Sequence, residues 1–199
     1  MINFLKIKLI VIRLLEPISV IRYFLTKPKM IWGYRNRVTK KFLPQVRISN
    51  SAYIGCPEKL NIGNNVFIGH YGIIDASQGL TIEEGCQIGF YCVLASHSSH
   101  YSIRLYGKDY GNSDMIGYVK GSVHIGKYTF VGAHSTIMPN TTIGKGSIVS
   151  AYSYVKGNFP DFSIIAGNPA KIVGDTRNLD EKYLKNHPEL KPKYNSWAK

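Results

Sequence analysis

The stretch VKGSVHIGKYTFVGAHSTIMPNTTIGKGSIVSAYSYV, residues 119–155, decides the fold of this chain. An aliphatic residue returns in it at every sixth position: Val119, Ile125, Val131, Ile137, Ile143, Val149 and Val155. An α-helix repeats every 3.6 residues and an alternating strand every two, so neither explains a period of six. A coiled parallel β structure does, because each hexad then forms one flat side and one corner. The sequence therefore predicts a β-solenoid.

The repeat extends upstream, and its interruptions are informative. Earlier aliphatic residues continue the series at Ile48, Ile54, Ile62, Ile68, Ile74, Ile82, Ile88 and Leu94. If three hexads make one coil, the extra residues after Ile54, Ile74 and Leu94 all fall at the same corner. The longest of these insertions is predicted as a loop over 95–118. Loops on a rigid scaffold are where chemistry concentrates, so this edge is the expected functional edge.

The chain divides by charge and by pattern into three predicted regions: 1–47, the repeat at 48–174, and 175–199. The net charge is +13, and residues 1–47 carry eleven Lys/Arg against one acid, Glu16. This segment is also rich in aliphatic residues, and Pro17 should break or kink a helix there. It contains no apolar run long enough to span a membrane and no evident signal-peptide cleavage site.

Two interpretations of the basic segment 1–47 remain open. It could be an amphipathic segment that rests on an anionic membrane face. Alternatively, it could be a helix that caps the solenoid or packs between subunits. Nucleic acid is not expected as a partner, because the charge accompanies aliphatic rather than interleaved aromatic residues. At the other end, a short capped helix is predicted from Asn178, followed by a Pro/Lys-rich tail that is either extended or loosely packed.

The cysteines predict no disulfide framework. Cys86 and Cys92 lie six residues apart, at the small-residue position that Ser or Thr occupies in the other hexads. Both are therefore expected to be buried core residues rather than metal ligands or redox groups. A reducing cytoplasm is the simplest compartment, with a peripheral position on the inner face of the membrane as the alternative.

Several motifs now carry a family resemblance. The hexads IGKYTF (125–130), VGAHST (131–136) and IGKGSI (143–148), and the ending AGNPAKIVG (166–174), resemble those of hexapeptide-repeat acyltransferases. The segments IDASQGLTI (74–82) and VLASHSSH (93–100) are similar to sugar and polysaccharide O-acetyltransferases. The resemblance implies an all-β, left-handed parallel β-helix, with an N-terminal helical segment, one protruding loop and a short C-terminal helix completing the predicted fold. It also implies a homotrimer with active sites between subunits, and acetyl-CoA as donor.

His97 is the candidate general base. A hydroxyl is a poor nucleophile until it loses its proton, and an imidazole, with a reference pKa near 6.5, can accept that proton at cellular pH. His97 stands three residues after Leu94, at the mouth of the long loop, where the resembling family has its catalytic histidine. His100 is the nearest rival. His134 lies in a regular coil, which favours packing or a cofactor contact.

Asp75 is the candidate partner of the base. Stacking Leu94 over Ile74 places His97 above Ser77, in a neighbouring coil about 4.8 Å away. The Asp75 carboxylate would then be close enough to orient or polarise the imidazole. The alternative is that Asp75 only accepts hydrogen bonds from turn amides before Gly79.

The resemblance also implies the residues that bind the donor. Small residues let the pantetheine arm lie along the coils, and basic residues meet the CoA phosphates; the matching positions are Ala133, Ala151, Lys156 and Lys171. The long loop offers aromatic and polar groups of the kind that bind sugars, with Tyr101, Arg104 and Tyr106 as candidate acceptor contacts. The chain departs from the family pattern at Gly69, because relatives that act on small sugars often carry Asn at this position. This difference argues against a galactoside acceptor.

Together these features predict an acetyl-CoA-dependent O-acetyltransferase that requires no metal and acts on a sugar hydroxyl of a cell-surface polysaccharide or its precursor. An antibiotic-inactivating O-acetyltransferase of the same fold is the principal alternative. A catalytically silent β-helix scaffold is a second. A zinc enzyme on this fold would need three converging histidines, and the histidine spacing here does not match that pattern.

Overall fold

The computed structural model describes residues 11, 13, 15–18, 20–21 and 25–199. The strands are β1 (Met30–Arg35), β2 (Phe42–Ser49), β3 (Tyr53–Gly55), β4 (Leu60–Ile62), β5 (Phe67–Ile68), β6 (Ile73–Asp75), β7 (Leu80–Ile82), β8 (Gln87–Ile88), β9 (Val93–Leu94), β10 (His97–Ser98), β11 (Val119–Lys120), β12 (Val123–Ile125), β13 (Phe130–Val131), β14 (Thr136–Ile137), β15 (Thr141–Ile143), β16 (Ile148–Val149), β17 (Tyr154–Val155), β18 (Asn158–Phe159), β19 (Ser163–Gly167) and β20 (Ala170–Asp175). The helices that follow the first strand are α1 (Ser102–Tyr106), α2 (Thr176–Asn186) and α3 (Lys191–Ala198), with short 3₁₀ turns at Pro57–Lys59, Gly107–Asp109 and Pro188–Leu190. Described residues between 11 and 26 are helical.

Three sheets form the sides of a triangular prism, as the six-residue period predicts. Sheet A runs β1-β2-β5-β8-β13-β16-β19-β20, sheet B runs β17-β14-β9-β6-β3, and sheet C runs β18-β15-β12-β7-β4. Successive coils pair in parallel, for example Ile74 with Leu94 and Ile82 with Ile125. The chain therefore passes from A to B to C in each coil, and the predicted parallel β-helix is confirmed.

The aliphatic residues of the hexads form the core. One column per sheet points into the prism and is almost completely buried, as for Ile88, Ile137 and Ile143. Burying one such side chain contributes roughly 1.5–3 kcal/mol, so the stacked columns are the main source of stability. This explains why the sixth position must be aliphatic.

In several hexads the small-residue position is a buried Ser, Thr or Cys whose side chain donates to a carbonyl of a neighbouring coil. Thr129 Oγ1 donates to the Gly144 carbonyl and Ser135 Oγ to the Ser150 carbonyl, both at 3.0 Å. Cys86 Sγ does the same towards the Gly126 carbonyl at 3.0 Å. Burial raises the pKa of the Cys86 thiol to about 12, so it stays protonated, as expected for a core cysteine.

Antiparallel hairpins close both ends of sheet A. β2 pairs with β1 below the first coil, and β19 pairs with β20 above the last. The turn of the first hairpin is fixed by Asn36, which is 1% exposed. Its Nδ2 donates to Asn61 Oδ1 at 2.9 Å and to the Ile62 carbonyl at 2.8 Å, and its Oδ1 accepts from the Val38 and Thr39 amides. Asn36 therefore locks the hairpin onto the first coil.

Replacing Asn36 with Ala should destabilise the protein by about 1–3 kcal/mol, because buried groups of the turn and the Ile62 carbonyl lose their partner. Thermal unfolding followed by circular dichroism measures the change. Asn50→Ala is the matched control, since Asn50 is exposed and its side chain accepts one amide, from Lys29. Equal melting temperatures for Asn36→Ala and wild type would show that the turn does not hold the hairpin in place.

Three local predictions are wrong. The predicted N-terminal helical segment does not extend over residues 30–47, which form β1, a turn and most of β2. Val119 does not continue the hexad series: it lies in β11, which pairs antiparallel with β10, and the coil resumes with Ile125 over Ile82. The C-terminal tail is not extended, because residues 191–198 form α3, and its Trp197 packs near Tyr128.

The predicted capped helix is present as α2, although it begins two residues earlier, at Thr176. The Asp175 side chain caps it by accepting from the Arg177 amide at 2.8 Å. Such a cap satisfies one of the free amides of the first helical turn, which explains why the helix starts there. In the part of the chain that the structure describes, no helix has the length and apolarity needed to cross a bilayer.

Candidate active site

The insertions lie together at the corner between sheets B and C. Gly55 and Asp75 stack there in neighbouring coils, and the longest insertion begins directly after Leu94. Within that insertion, β10 and β11 pair as a short ladder in which His97 faces Lys120. The ladder returns the chain to the coil and fixes the backbone of His97 at the base of the loop.

His97 and Asp75 are in direct contact. Nδ1 of His97 lies 2.7 Å from Oδ2 of Asp75, and 2.9 Å from Oγ of Ser77. An ionised carboxylate can only accept, so Nδ1 carries a proton, and in the neutral form of the ring the lone pair is then on Nε2. The His97 side chain is 39% exposed and Asp75 18%, so the imidazole reaches solvent while its partner is mostly covered. The proximity expected from coil stacking is present; the catalytic roles remain a prediction.

The Asp75 carboxylate is held ionised by its neighbours. Oδ2 also accepts from the Ser96 amide at 3.1 Å and the Ser96 hydroxyl at 2.8 Å, and Oδ1 accepts from the Ser77 amide at 3.1 Å. Partial burial raises the pKa of Asp75, but these hydrogen bonds outweigh it, so the pKa lies below its ordinary value. The two interpretations of Asp75 are therefore compatible, because the carboxylate binds turn groups and the imidazole together.

Ser96, in the neighbouring coil, holds this carboxylate in place. Its side chain is fully buried, donates to Asp75 and accepts from the Gln78 amide at 2.9 Å. Sequence reasoning did not identify Ser96 as part of the site. Its position offered a signal: Ser96 directly precedes His97 and stacks over Ala76 in the neighbouring coil. A hydroxyl is not needed for core packing at such a position, which indicates another role.

Tyr118 is a second residue that sequence reasoning missed. Its ring lies parallel to the His97 ring, with 5.6 Å between centroids and 7° between planes. Desolvation raises the pKa of Tyr118, and the nearby Tyr110 and Asp75 charges raise it further, so the hydroxyl remains protonated at neutral pH. Tyr118 therefore limits rotation of the imidazole and presents a neutral hydroxyl beside it.

The three candidate acceptor residues lie on the insertion but differ in environment. Arg104 is exposed on α1, and Tyr101 is exposed at its start, beside the His100 ring. Tyr106 is half-buried, and its hydroxyl accepts from the Ile116 amide at 3.3 Å, so it holds the loop together. The loop is thus a folded unit rather than an unstructured lid.

The four candidate donor-binding residues are not brought together within one protomer. Ala133 and Ala151 lie at the corner between sheets A and B, whereas Lys156 follows Val155 at the corner that carries His97. Lys171 lies in β20 at the end of sheet A. Within one protomer the four positions therefore lie at two different corners and at the end of the prism.

His134 stands in an aromatic ladder at the A–B corner. It stacks between Tyr91, at 4.8 Å, and Tyr152, at 4.9 Å. His124 instead approaches Glu83 on sheet C, at 3.4 Å. Neither lies beside His97, so within one protomer the described histidines do not converge.

The structure thus places a histidine–aspartate pair at the insertion-bearing corner of a hexapeptide β-helix. Residues 122–157 match the family model described as bacterial transferase hexapeptide (six repeats). The chain therefore carries the repeat of the bacterial hexapeptide transferases, and the resemblance to hexapeptide-repeat acyltransferases is confirmed.

Individual proteins extend this similarity. A protein of Mycobacterium tuberculosis named as a probable acetyltransferase is 30% identical over 115 residues, which are 57% of this chain and 36% of that protein. The dTDP-4-amino-4,6-dideoxy-D-glucose acyltransferase of Escherichia coli is 26% identical over 152 residues, covering 65% and 79% of the two chains. The crystal structure of AntD, an N-acyltransferase from Bacillus cereus in complex with dTDP and 3-hydroxybutyryl-CoA, superimposes with a TM-score of 0.55 and 27% identity, covering 72% and 89%. The chain thus spans about a third of the mycobacterial relative's length, but most of the other two.

Proposed function

We propose that the protein transfers an acetyl group from acetyl-CoA to a sugar hydroxyl, in a cell-surface polysaccharide or its precursor. The observation that carries this proposal is the contact between His97 and Asp75 at the insertion-bearing edge, which leaves Nε2 free. The relatives named as acetyltransferases and sugar acyltransferases support the class of reaction.

In the proposed reaction His97 moves one proton twice. Nε2 accepts the proton of the sugar hydroxyl as its oxygen attacks the thioester carbonyl, and the new C–O bond gives a tetrahedral oxyanion. The C–S bond then breaks, and the imidazolium returns the proton to the CoA thiolate. The Asp75 carboxylate stabilises the imidazolium between the two transfers, and Tyr118 keeps its ring in plane.

A second candidate is acylation of an amino group on a nucleotide-linked sugar, because two of the similar proteins are an amino-sugar acyltransferase and an N-acyltransferase. A neutral amine already has the lone pair that attacks, whereas a hydroxyl needs a base to release its proton. The His97–Asp75 dyad supplies such a base, which favours the hydroxyl.

Release of the CoA thiol in the presence of matched acceptors tests both candidates. The panel contains sugar nucleotides and glycan precursors in matched pairs. One member of each pair carries a hydroxyl, and the other carries an amino group at the same position. Products that alkaline hydroxylamine cleaves are esters, and resistant products are amides. Ester formation supports the proposal, amide formation alone supports the second candidate, and an absence of acetyl-CoA binding and turnover would favour the silent scaffold.

We also propose that the protein works as a homotrimer, as the resemblance to hexapeptide-repeat acyltransferases implies, in which donor-binding candidates of one copy lie beside His97 of another. The outward columns of the sheets support this. On sheet A the column is largely apolar or aromatic: Arg47, Phe67, Gln87, Phe130, Ile148 and Ile164. On sheet C it is polar: Asn61, Thr81, His124, Thr142 and Asn158. Apolar columns of this kind are typical of surfaces that are covered in an assembly.

Introducing a charge on sheet A should break the proposed assembly. Phe130, 45% exposed in one protomer, becomes buried if sheet A is the interface, so Phe130→Glu should convert the trimer to monomers. Light scattering coupled to size-exclusion chromatography measures the mass. Thr142→Glu, on the exposed position of sheet C, is the matched control and should remain trimeric. A monomeric wild type, or a trimeric Phe130→Glu variant, would contradict this interface.

A further inference from the structure

The N-terminal end of the prism carries a concentrated positive charge. We call residues 29–47 the basic hairpin; it contains β1, the turn that follows, and β2 as far as Arg47. It contains no Asp or Glu, and its cations are Lys29, Arg35, Arg37, Lys40, Lys41 and Arg47. The side chains at the closed end of the hairpin, from Arg35 to Lys41, are exposed apart from Asn36. None of these cations is among the candidate residues of the site at the B–C corner.

The contacts that hold the basic hairpin do not neutralise it. The turn is tied to the first coil by amide side chains, such as Asn36 on Asn61. The Arg35 guanidinium donates to a backbone carbonyl, that of Lys40, at 3.2 Å. Arg47 is covered by aromatic rings, lying 5.5 Å from Trp32 and 5.6 Å from Phe67. The fold therefore presents the cations at the closed end of the hairpin outward, and the contacts named here include no carboxylate.

Apolar side chains project beside these cations. Val38, within the turn, is 48% exposed, and Phe42, opposite Arg35 in the hairpin, is 58% exposed. The Phe42 ring lies over Gly33, whose φ of +84° and lack of Cβ leave room for it. In the helical residues that precede the hairpin, exposed aliphatic side chains recur at helical spacing: Leu15, Ile18, Ile21 and Leu25. Cations interleaved with exposed apolar groups match a surface that has both negative charge and a hydrocarbon layer.

We propose that the basic hairpin docks on an anionic phospholipid surface. Each cation near such a surface strengthens binding by about fivefold, and the apolar side chains enter the boundary between headgroups and acyl chains. A second copy placed face to face on the hairpin is disfavoured, because its six cations would repel their equivalents. This inference goes beyond the proposed acyl transfer and does not depend on it.

Co-sedimentation with vesicles tests the proposal on the full chain. Phosphatidylcholine vesicles with and without phosphatidylglycerol are compared for wild type and for a triple variant, Arg37→Gln, Lys40→Gln and Lys41→Gln. The matched control removes three exposed lysines from the opposite end: Lys182→Gln, Lys185→Gln and Lys193→Gln. Wild type and control should bind only the phosphatidylglycerol vesicles, and the hairpin variant should bind about a hundredfold more weakly.

Several results would overturn the proposal. Equal weakening of binding in both triple variants would show an effect of net charge rather than of the hairpin. Unchanged binding in the hairpin variant would show that the hairpin does not contact the membrane. Equal binding of wild type to neutral vesicles would exclude charge recognition. Tighter retention on double-stranded DNA than on anionic vesicles would identify nucleic acid as the ligand. Melting temperatures show whether each variant folds. If a variant does not fold, the salt dependence of wild-type binding is the test instead. Wild-type binding that is unchanged at about 0.5 M salt, where screening is strong, would refute docking by charge.

Discussion

His97→Ala should lower the turnover of acetyl-CoA with a sugar acceptor by about a hundredfold to ten-thousandfold, which is the usual contribution of a positioned general base. The loss should fall on kcat, while the KM for acetyl-CoA should change little. The reason is geometric: Nε2 of His97 is the ring nitrogen that Asp75 and Ser77 leave free, since both contact Nδ1. Continuous detection of the released thiol measures both constants.

His100→Ala provides the matched control. His100 stands on the same insertion, and its Nδ1 lies 2.8 Å from the Ser98 hydroxyl, away from the carboxylate. We expect this variant to retain turnover within about threefold of wild type, because no carboxylate orients or charges its ring. The opposite pattern, a large loss with His100→Ala and a small one with His97→Ala, would move the base to His100 and leave the His97–Asp75 contact structural.

The sequence was sufficient for the scaffold because one physical requirement repeats. Every sixth side chain must fill a narrow core, so Ile88, Ile137 and Ile143 stand out as a period. The contact between Asp75 and His97 follows from the same period, because stacking Leu94 over Ile74 places His97 above Ser77, two residues from Asp75. Hence the coils and the central dyad could both be predicted.

The failures occur where the chain leaves the coil. Val119 has the spacing of a hexad residue, but backbone pairing of β11 with β10 places it outside the prism, and such pairing leaves no period in the sequence. Tyr118 reaches His97 only because of that pairing, so its contact was equally hidden. The first hairpin was missed for a related reason. Its strands pair with each other and with β5 through the backbone, and their side chains mix basic, polar and apolar types without a regular period.

Asp75→Asn should lower kcat by about tenfold to a hundredfold, less than the loss of the base itself. An amide must place its Nδ2 at one of the two carboxylate positions. At the Oδ1 position the Nδ2 donor would face one other donor, the Ser77 amide. At the Oδ2 position it would face the donors of Ser96 and His97. The first placement costs less, so the imidazole keeps its tautomer but loses the negative charge that stabilises its protonated form. Thiol release again gives kcat, and Asp114→Asn, at an exposed carboxylate paired with Lys120, is the control.

The same substitution should change how stability depends on pH. The folded-state pKa of Asp75 lies below its ordinary value, so its ionisation stabilises the folded protein above the unfolded-state pKa, and this stabilisation is lost as the pH falls through the folded-state pKa. Wild type should therefore lose part of its stability on acidification below about pH 4, near the reference pKa of an aspartate, and Asp75→Asn should lose less. Melting temperatures from about pH 7 to about pH 3, a range that brackets this reference pKa, measure the difference. Parallel curves for the two proteins would mean that the carboxylate is not held ionised by Ser96 and Ser77, and the dyad would then lack the charge on which its proposed chemistry depends.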